Sequence, residues 1–259
     1  MGSTSSESAR SVKMAAIILA AGEGKRIGRN KALLEIGGVK SLERVVTCMR
    51  EAGCDPVIVV GGAEASSVRE EALRLGVRFV LNGNWRNGQF SSLKTGMSEL
   101  VRGEGSELPS AEGSAPASAE EVELASEEAS KMEGADRLGL ASERGSKMAC
   151  GKGAGMQTAG AMVALVDHPF VKKETYQVLA RTSQRFPRKI IIPTCRGRRG
   201  HPVIVPREVI TEIIGAPDGM TLRDIIREHD DLVLEQAVDD TGILKDIDSE
   251  ADLNSAHHS

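Results

Sequence analysis

Short apolar runs alternate with amphipathic stretches along most of this chain. Residues 15–20 are apolar without a break, the pattern of a strand covered on both faces. Leu42, Val45, Val46 and Met49 then recur at helical spacing after Ser41, the expected cap, and Gly53 marks the stop. The same rules predict strands at 56–60, running into Gly61-Gly62, and at 77–81, 161–166, 189–192, 202–205 and 232–237. Helices fall at 67–75, closed by Gly76, and at 173–185, 207–214 and 222–229, the last behind a Thr221 cap, with Ser249 capping a final one. This alternation implies an α/β fold, Rossmann-like, with a mostly parallel sheet and right-handed crossovers. Such sheets bind ligands at the carboxyl ends of their strands.

The pattern breaks once. Residues from about 102 to 158 are rich in Gly, Ser, Ala and Glu and poor in large apolar side chains. They hold an internal echo, Leu124-Ala125-Ser126-Glu127 against Leu140-Ala141-Ser142-Glu143. Two copies are too few for a solenoid and read as a local tandem duplication. So little apolar surface cannot offset the entropy of ordering, and a long flexible insertion is expected. Residues 1–13 are Ser-rich and polar, the expected disordered extension before a single domain at 14–259. The apolar run behind Lys13 is short for a signal peptide and meets charge at once, so a buried first strand is expected. No run approaches the ~20 apolar residues that cross a bilayer.

Composition then narrows the partners. A 40% hydrophobic content suffices for a core, and a 2% aromatic fraction makes that core aliphatic. The net charge of −4 argues against a nucleic-acid or anionic-membrane binder. Cys48, Cys54, Cys150 and Cys195 form no C-x-x-C pair and are expected as reduced thiols, in keeping with a cytoplasmic location. On this acidic chain one basic loop is conspicuous: Gly22, Gly24 and Gly28 interleave with Lys25, Arg26, Arg29 and Lys31 directly after the first strand. Glycines let backbone N–H groups approach a ligand, and the cations add charge, which together suit a nucleoside triphosphate. No Ser or Thr follows a Gly-Lys pair, so this is not a P-loop. The spacing G-x-G-x-x-x-G has one residue too many for a dinucleotide turn.

The segment Leu19-Ala20-Ala21-Gly22-x-x-x-Arg26-x-Gly28-x-x-Lys31 resembles the signature loop of nucleotidyltransferases that act on molybdenum cofactor, within the nucleotide-diphospho-sugar transferase superfamily. The resemblance continues in Asn82-x-x-Trp85-x-x-Gly88-Gln89-Phe90-Ser91-Ser92-Leu93-Lys94 and in Val166-Asp167-His168-Pro169-Phe170-Val171. It closes with Gly200-His201-Pro202-Val203 and Lys245-Asp246-Ile247-Asp248-Ser249-Glu250-x-Asp252-Leu253. Each motif is weak alone; together, in order from 15 to 253 around the insertion, they are specific. They imply a sheet of that superfamily's type and Mg²⁺-dependent transfer of CMP from CTP to molybdopterin or its molybdenum form. Pyrophosphate is released, and the product passes to a molybdoenzyme. The alternatives are GTP or a sugar-phosphate-type acceptor and, in another class, a non-catalytic nucleotide-binding chaperone or regulator.

Nucleotidyl transfer asks for cations rather than a strong base, because the attacking phosphate is already anionic. The resemblance places Leu19, Ala20, Ala21, Gly22, Gly24, Arg26, Lys31, Gly88, Ser91 and Ser92 around the nucleotide, with Arg26, Lys31 and Asp167 catalytic. Ser91 and Ser92 would equally serve as helix caps. Asp167 follows an apolar strand, and with Asp248 is implied to hold the metal, oxygen donors suiting a hard cation. Of Asp246 and Asp248 only one is expected to face the site, and the resemblance singles out Asp248. Family members that use cytidine carry Ala-Ala-Gly where guanylyl-transferring ones tend to Ala-Gly-Gly, so Ala21 favours CTP. Gly200 and His201 are implied to face the acceptor, with Arg196, Arg198 and Arg199 either beside its phosphate or solvated. Lys25 and Arg29 are expected in solvent, Trp85 as a loop anchor, and His168, a departure from the family pattern, as a packing residue.

Overall fold

The unbroken apolar run forms β1 (Met14–Ala20) in a computed structural model that describes residues 13–24, 27–104, 158–248 and 252. The expected extension at 1–12, Lys25, Arg26, nearly all of the 102–158 insertion with Cys150, and the Ser249 cap lie outside the described residues. The other strands are β2 (Glu35–Ile36), β3 (Val39–Lys40), β4 (Val57–Gly61), β5 (Arg78–Leu81), β6 (Gly160–Leu165), β7 (Ile190–Cys195), β8 (Arg198–Arg199), β9 (Val203–Pro206) and β10 (Val233–Ala237). The helices are α1 (Ser41–Glu51), α2 (Ala65–Arg74), α3 (Gln89–Glu104), α4 (Lys173–Arg185), α5 (Arg207–Gly215) and α6 (Leu222–Glu228).

One sheet runs β10-β7-β9-β6-β1-β4-β5, with β8 paired to β7, and β2 and β3 form a small separate hairpin. β1 pairs in parallel with β4 and β6, β4 with β5, and β10 with β7. The two-residue β8 is antiparallel to β7, and the larger exception is β9, antiparallel to both β6 and β7. It follows β7 through the tight β8 turn instead of a helical crossover, and a turn that short returns the chain in the opposite direction.

Alternate residues of β1 feed two cores. Ala16, Ile18 and Ala20 pack with Leu42, Val46, Val68 and Leu179 from α1, α2 and α4. Ala15, Ile17 and Leu19 pack with Leu93, Met97, Val209 and Ile213 from α3 and α5. Both faces are covered, which is why the strand carries no polar residue. Each fully buried Ile or Leu here contributes about 1.5–3 kcal/mol.

Two helix starts differ from the expected ones. α1 begins at Ser41 itself: the chain enters from β3, Lys40 takes the cap position, and the Ser41 hydroxyl donates to the Leu34 carbonyl. α2 begins at Ala65 after Glu64 in a left-handed conformation. Thr221 does cap α6, in a reciprocal box with Asp224. Cys48, Cys54 and Cys195 are free. Burial pushes the Cys54 thiol up to about 12 and, with the Glu51 charge, the Cys48 thiol up to about 11, which leaves both unreactive. No helix among the described residues is long and apolar enough to cross a membrane.

Candidate active site

β1, β4, β5 and β6 run in parallel, so their carboxyl ends share one rim, where a cleft of about 460 Å³ opens. Leu19, Ala20, Ala21, Gly22 and Gly24 line one side of it, Gly88, Gln89 and Ser92 another, and Lys31, Asp167 and Asp248 a third. Two glycines shape the loop. Gly24 has φ +60°, and a Cβ there would strike the Arg29 carbonyl, so the turn closes only with glycine. At Gly62 a Cβ would lie 2.6 Å from Trp85 Cβ and 2.8 Å from Ala21 Cβ, so its absence lets the Trp85 turn seat against Ala21.

Asn82, buried at the end of β5, sets the start of α3. Its Nδ2 donates to Ser91 Oγ and Ser92 Oγ, 2.9 Å in each case. α3 begins at Gln89, so both serines lie within its first turn and neither is the cap. Ser92 lines the cleft, whereas the Ser91 hydroxyl sits 2.7 Å from the Gly88 carbonyl and does not.

The charged side centres on Lys31, which opens a short 3-10 turn behind Asn30. Its Nζ lies 3.3 Å from Asp167 Oδ2 and also donates to Asp248 Oδ1. Asp167 lies just past the end of β6, after Val166, and its carbonyl accepts from Ile247 N at 2.9 Å, which draws the Asp248 segment alongside. Ile247 is buried, Asp246 is exposed and Asp248 is half-buried, so of the two acids only Asp248 lines the cleft. Burial works to lower the Lys31 pKa, but the Asp248 hydrogen bond and the Asp167 charge outweigh it and leave it raised, so the side chain is a firm cation. Two carboxylates converging on one cation suit a divalent metal. Among the described residues no third Asp, Glu, His or Cys joins them. Mg²⁺ accepts that, since it takes one or two carboxylates and fills its remaining positions with phosphate and water oxygens.

The other expected residues scatter. Arg26 is outside the described residues. His201 lines a smaller chamber next door, and its ring centroid lies 5.5 Å from that of His168, the packing expected of His168. Gly200 lines neither cavity: its N–H donates to the Pro193 carbonyl, and a Cβ would lie 2.9 Å from Ile243 Cβ, so it is glycine for packing. Arg196, Arg198 and Arg199 are exposed on the β7–β8 turn, with Arg199 2.7 Å from Glu235, and none lines a cavity described above. Conversely, Asn30, Gln89 and the Trp85–Arg86 pair line the cleft unannounced. Arg86 stacks 4.5 Å from the Trp85 ring. Asn30 is buried; its Oδ1 accepts from Ala32 N, and its Nδ2 has no partner.

A glycine loop over the carboxyl rim of a parallel sheet, with a lysine held between two acids, defines an α/β protein built to hold a phosphorylated ligand. Residues 16–232 match the MobA-like NTP transferase domain. The chain belongs to that family. It is similar to "Nicotine blue oxidoreductase" of Paenarthrobacter nicotinovorans, 41% identical over 31% of this chain and 40% of that one. It is also similar to a "Probable molybdenum cofactor guanylyltransferase" of Opitutus terrae, 44% identical over 22% of this chain and 28% of that one. The matched segments thus span well under half the length of these relatives. Among solved structures, Rv0371c from Mycobacterium tuberculosis H37Rv superimposes with a TM-score of 0.64 at 20% identity, over 96% of this chain and 99% of that one. Its manganese complex superimposes with a TM-score of 0.59 at 18% identity, over 95% of this chain and 99% of that one. Likeness at that identity speaks to the fold.

Proposed function

We propose that the chain transfers CMP from CTP to a molybdopterin-type acceptor, with Mg²⁺, releasing pyrophosphate, and that a molybdoenzyme receives the product. The observation that carries this reading is the convergence of Lys31, Asp167 and Asp248 at the mouth of the glycine-loop cleft. The loop backbone at Gly22 and Gly24, with Arg26 and Lys31, would hold the triphosphate and offset the charge gathering on the leaving pyrophosphate. Ala20, Ala21, Gly88 and Ser92 would enclose the nucleoside. Held between Asp167 and Asp248, Mg²⁺ would neutralise charge around the α-phosphate. No general base is assigned, because the acceptor phosphate attacks as an anion. The Ala21 methyl, 8% exposed at the cleft wall, favours the smaller pyrimidine.

A second reading, with GTP as donor, is favoured by one observation: two relatives named as probable molybdenum cofactor guanylyltransferases match at 44% and 42% identity over short segments. Pyrophosphate release, measured with purified molybdenum cofactor and CTP, GTP, ATP or UTP in turn, decides between them. The proposal expects release with CTP, falling roughly 100-fold or more in Asp167→Asn while nucleotide affinity changes far less. Release with GTP alone transfers the assignment to that donor. Nucleotide binding without release from any of the four sinks the catalytic reading in favour of a binding protein.

A further inference from the structure

The cleft has two ends, and the strand order sets them apart. Lys31, Asp167 and Asp248 mark one, just past the end of β6. Gly24 belongs with them, since a Cβ there would lie 3.7 Å from Lys31 N. The turn at Trp85–Asn87 marks the other, because Trp85 packs on Gly62, just past β4. β1 lies between β6 and β4, so the ends are two inter-strand spacings, about 10 Å, apart. Phosphates gathered at the first end leave the base of a nucleotide at the second. A cation stands there too. Arg86 is exposed in the cleft wall, its guanidinium 4.5 Å from the centre of the Trp85 ring. That stacking steadies the group, and among the described residues no carboxylate pairs with it.

We infer that Arg86 reads the base, admitting one that presents two neighbouring hydrogen-bond acceptors. The inference rests on the nucleotidyl-transfer reading and names a second specificity residue for it. A guanidinium only donates, through a planar fork, so it matches paired acceptors and is turned away by an N–H on the same edge. Cytosine presents N3 beside O2, and guanine presents N7 beside O6, the pair an arginine fork takes most often. Uracil places an N–H between its two oxygens, and adenine sets an amino group beside N7. Ala21 therefore sorts the bases by size and Arg86 by edge. Cytosine alone passes both. Trp85 is a positioning residue here, holding the fork at the wall instead of in open solvent.

The test is nucleotide binding to the full chain with Mg²⁺ and no acceptor, followed by the fluorescence of Trp85, the one tryptophan in the sequence. Calorimetry gives a second readout. CTP should bind about tenfold or more tighter than UTP, which differs from it only along the edge in question. GTP should exceed ATP by a similar factor. Arg86→Lys keeps the charge and loses the fork, so both ratios should collapse toward one while UTP affinity changes little. Equal binding of CTP and UTP by the parent protein overturns the inference, and so do ratios that survive Arg86→Lys. A loss in Arg86→Lys shared equally by all four nucleotides also overturns it, and moves the arginine to the phosphates. Binding of none of the four overturns it together with the nucleotide site. Failure of the transfer reading shows separately, as binding without pyrophosphate release.

Discussion

Lys31 Nζ and Asp167 Oδ2 meet at 3.3 Å across 136 residues of sequence, and Asp248 grips the same ammonium from the other side. Lysine thus occupies the meeting point of the two carboxylates that would hold a metal, so a metal would compete with it there. Binding of the metal would free the lysine to reach a bound phosphate.

Replacing Lys31 with Met removes that competitor. Mn²⁺ affinity without nucleotide, read by electron paramagnetic resonance, should rise about tenfold, while nucleotide affinity falls by a similar factor. Unchanged or weaker Mn²⁺ binding in Lys31→Met would show that the lysine does not contest the site.

Asn30 has two separable features, because its Oδ1 caps the Lys31 turn while its Nδ2 is buried without a partner just behind the cleft wall. Asn30→Ala loses the cap and should cost about 1 kcal/mol of stability. Asn30→Asp keeps the cap acceptor but sets a carboxylate where a phosphate is expected. Its melting temperature should stay close to that of the parent while nucleotide affinity drops about tenfold or more. Equal nucleotide affinity in the two proteins would remove Asn30 from the binding site.

Ala21 tests the choice of base. Its Cβ faces the Gly62 position, so Ala21→Gly widens the wall without disturbing the turn at Gly24. The ratio of kcat/KM for GTP over CTP should rise about tenfold, the discrimination available from one methyl group. A ratio that does not move would locate base selection elsewhere along the cleft.

His201 gives stability a defined response to acid. Its folded pKa is lowered to about 4 from the ordinary 6.5, so between those values the unfolded chain takes up a proton that the native state refuses. Stability therefore falls as pH drops through this window, by up to about 1.4 kcal/mol per pH unit from this group, and is not weakened by it above. In His201→Gln the acid limb of a urea-denaturation series should flatten between pH 6.5 and 4. Parallel curves for the two proteins would refute the assignment.

Much of this architecture is legible in the sequence because burial on two faces leaves a plain signature. The six apolar residues of β6 and the glycines after β1 mark a buried parallel sheet and its ligand-binding rim. The direction of β9 is not legible, since an apolar run reads the same either way along a sheet. The β2–β3 hairpin has two residues per strand, too few for any period. Trp85 and Gln89 lie in a motif already tied to the nucleotide, but which of its side chains face the cleft, and that Asn30 joins them, follows only from separate loops folding over one rim. Gly200 shows the reverse: it was expected beside the acceptor, yet it is held by close packing on Ile243.

The two ends of the Gly, Ser and Glu-rich stretch have a fixed place in this scaffold. α3 finishes with Gly103 against Arg78, the first residue of β5, and β6 starts where Ala159 N donates to the Lys13 carbonyl at 2.9 Å. Both anchor points are at the amino edge of the sheet, and Asp167 is at the other, about 20 Å away along six residues of β6. The chain therefore leaves and re-enters the described scaffold at the end of the sheet away from the cleft, which makes that junction a natural place to graft a reporter domain.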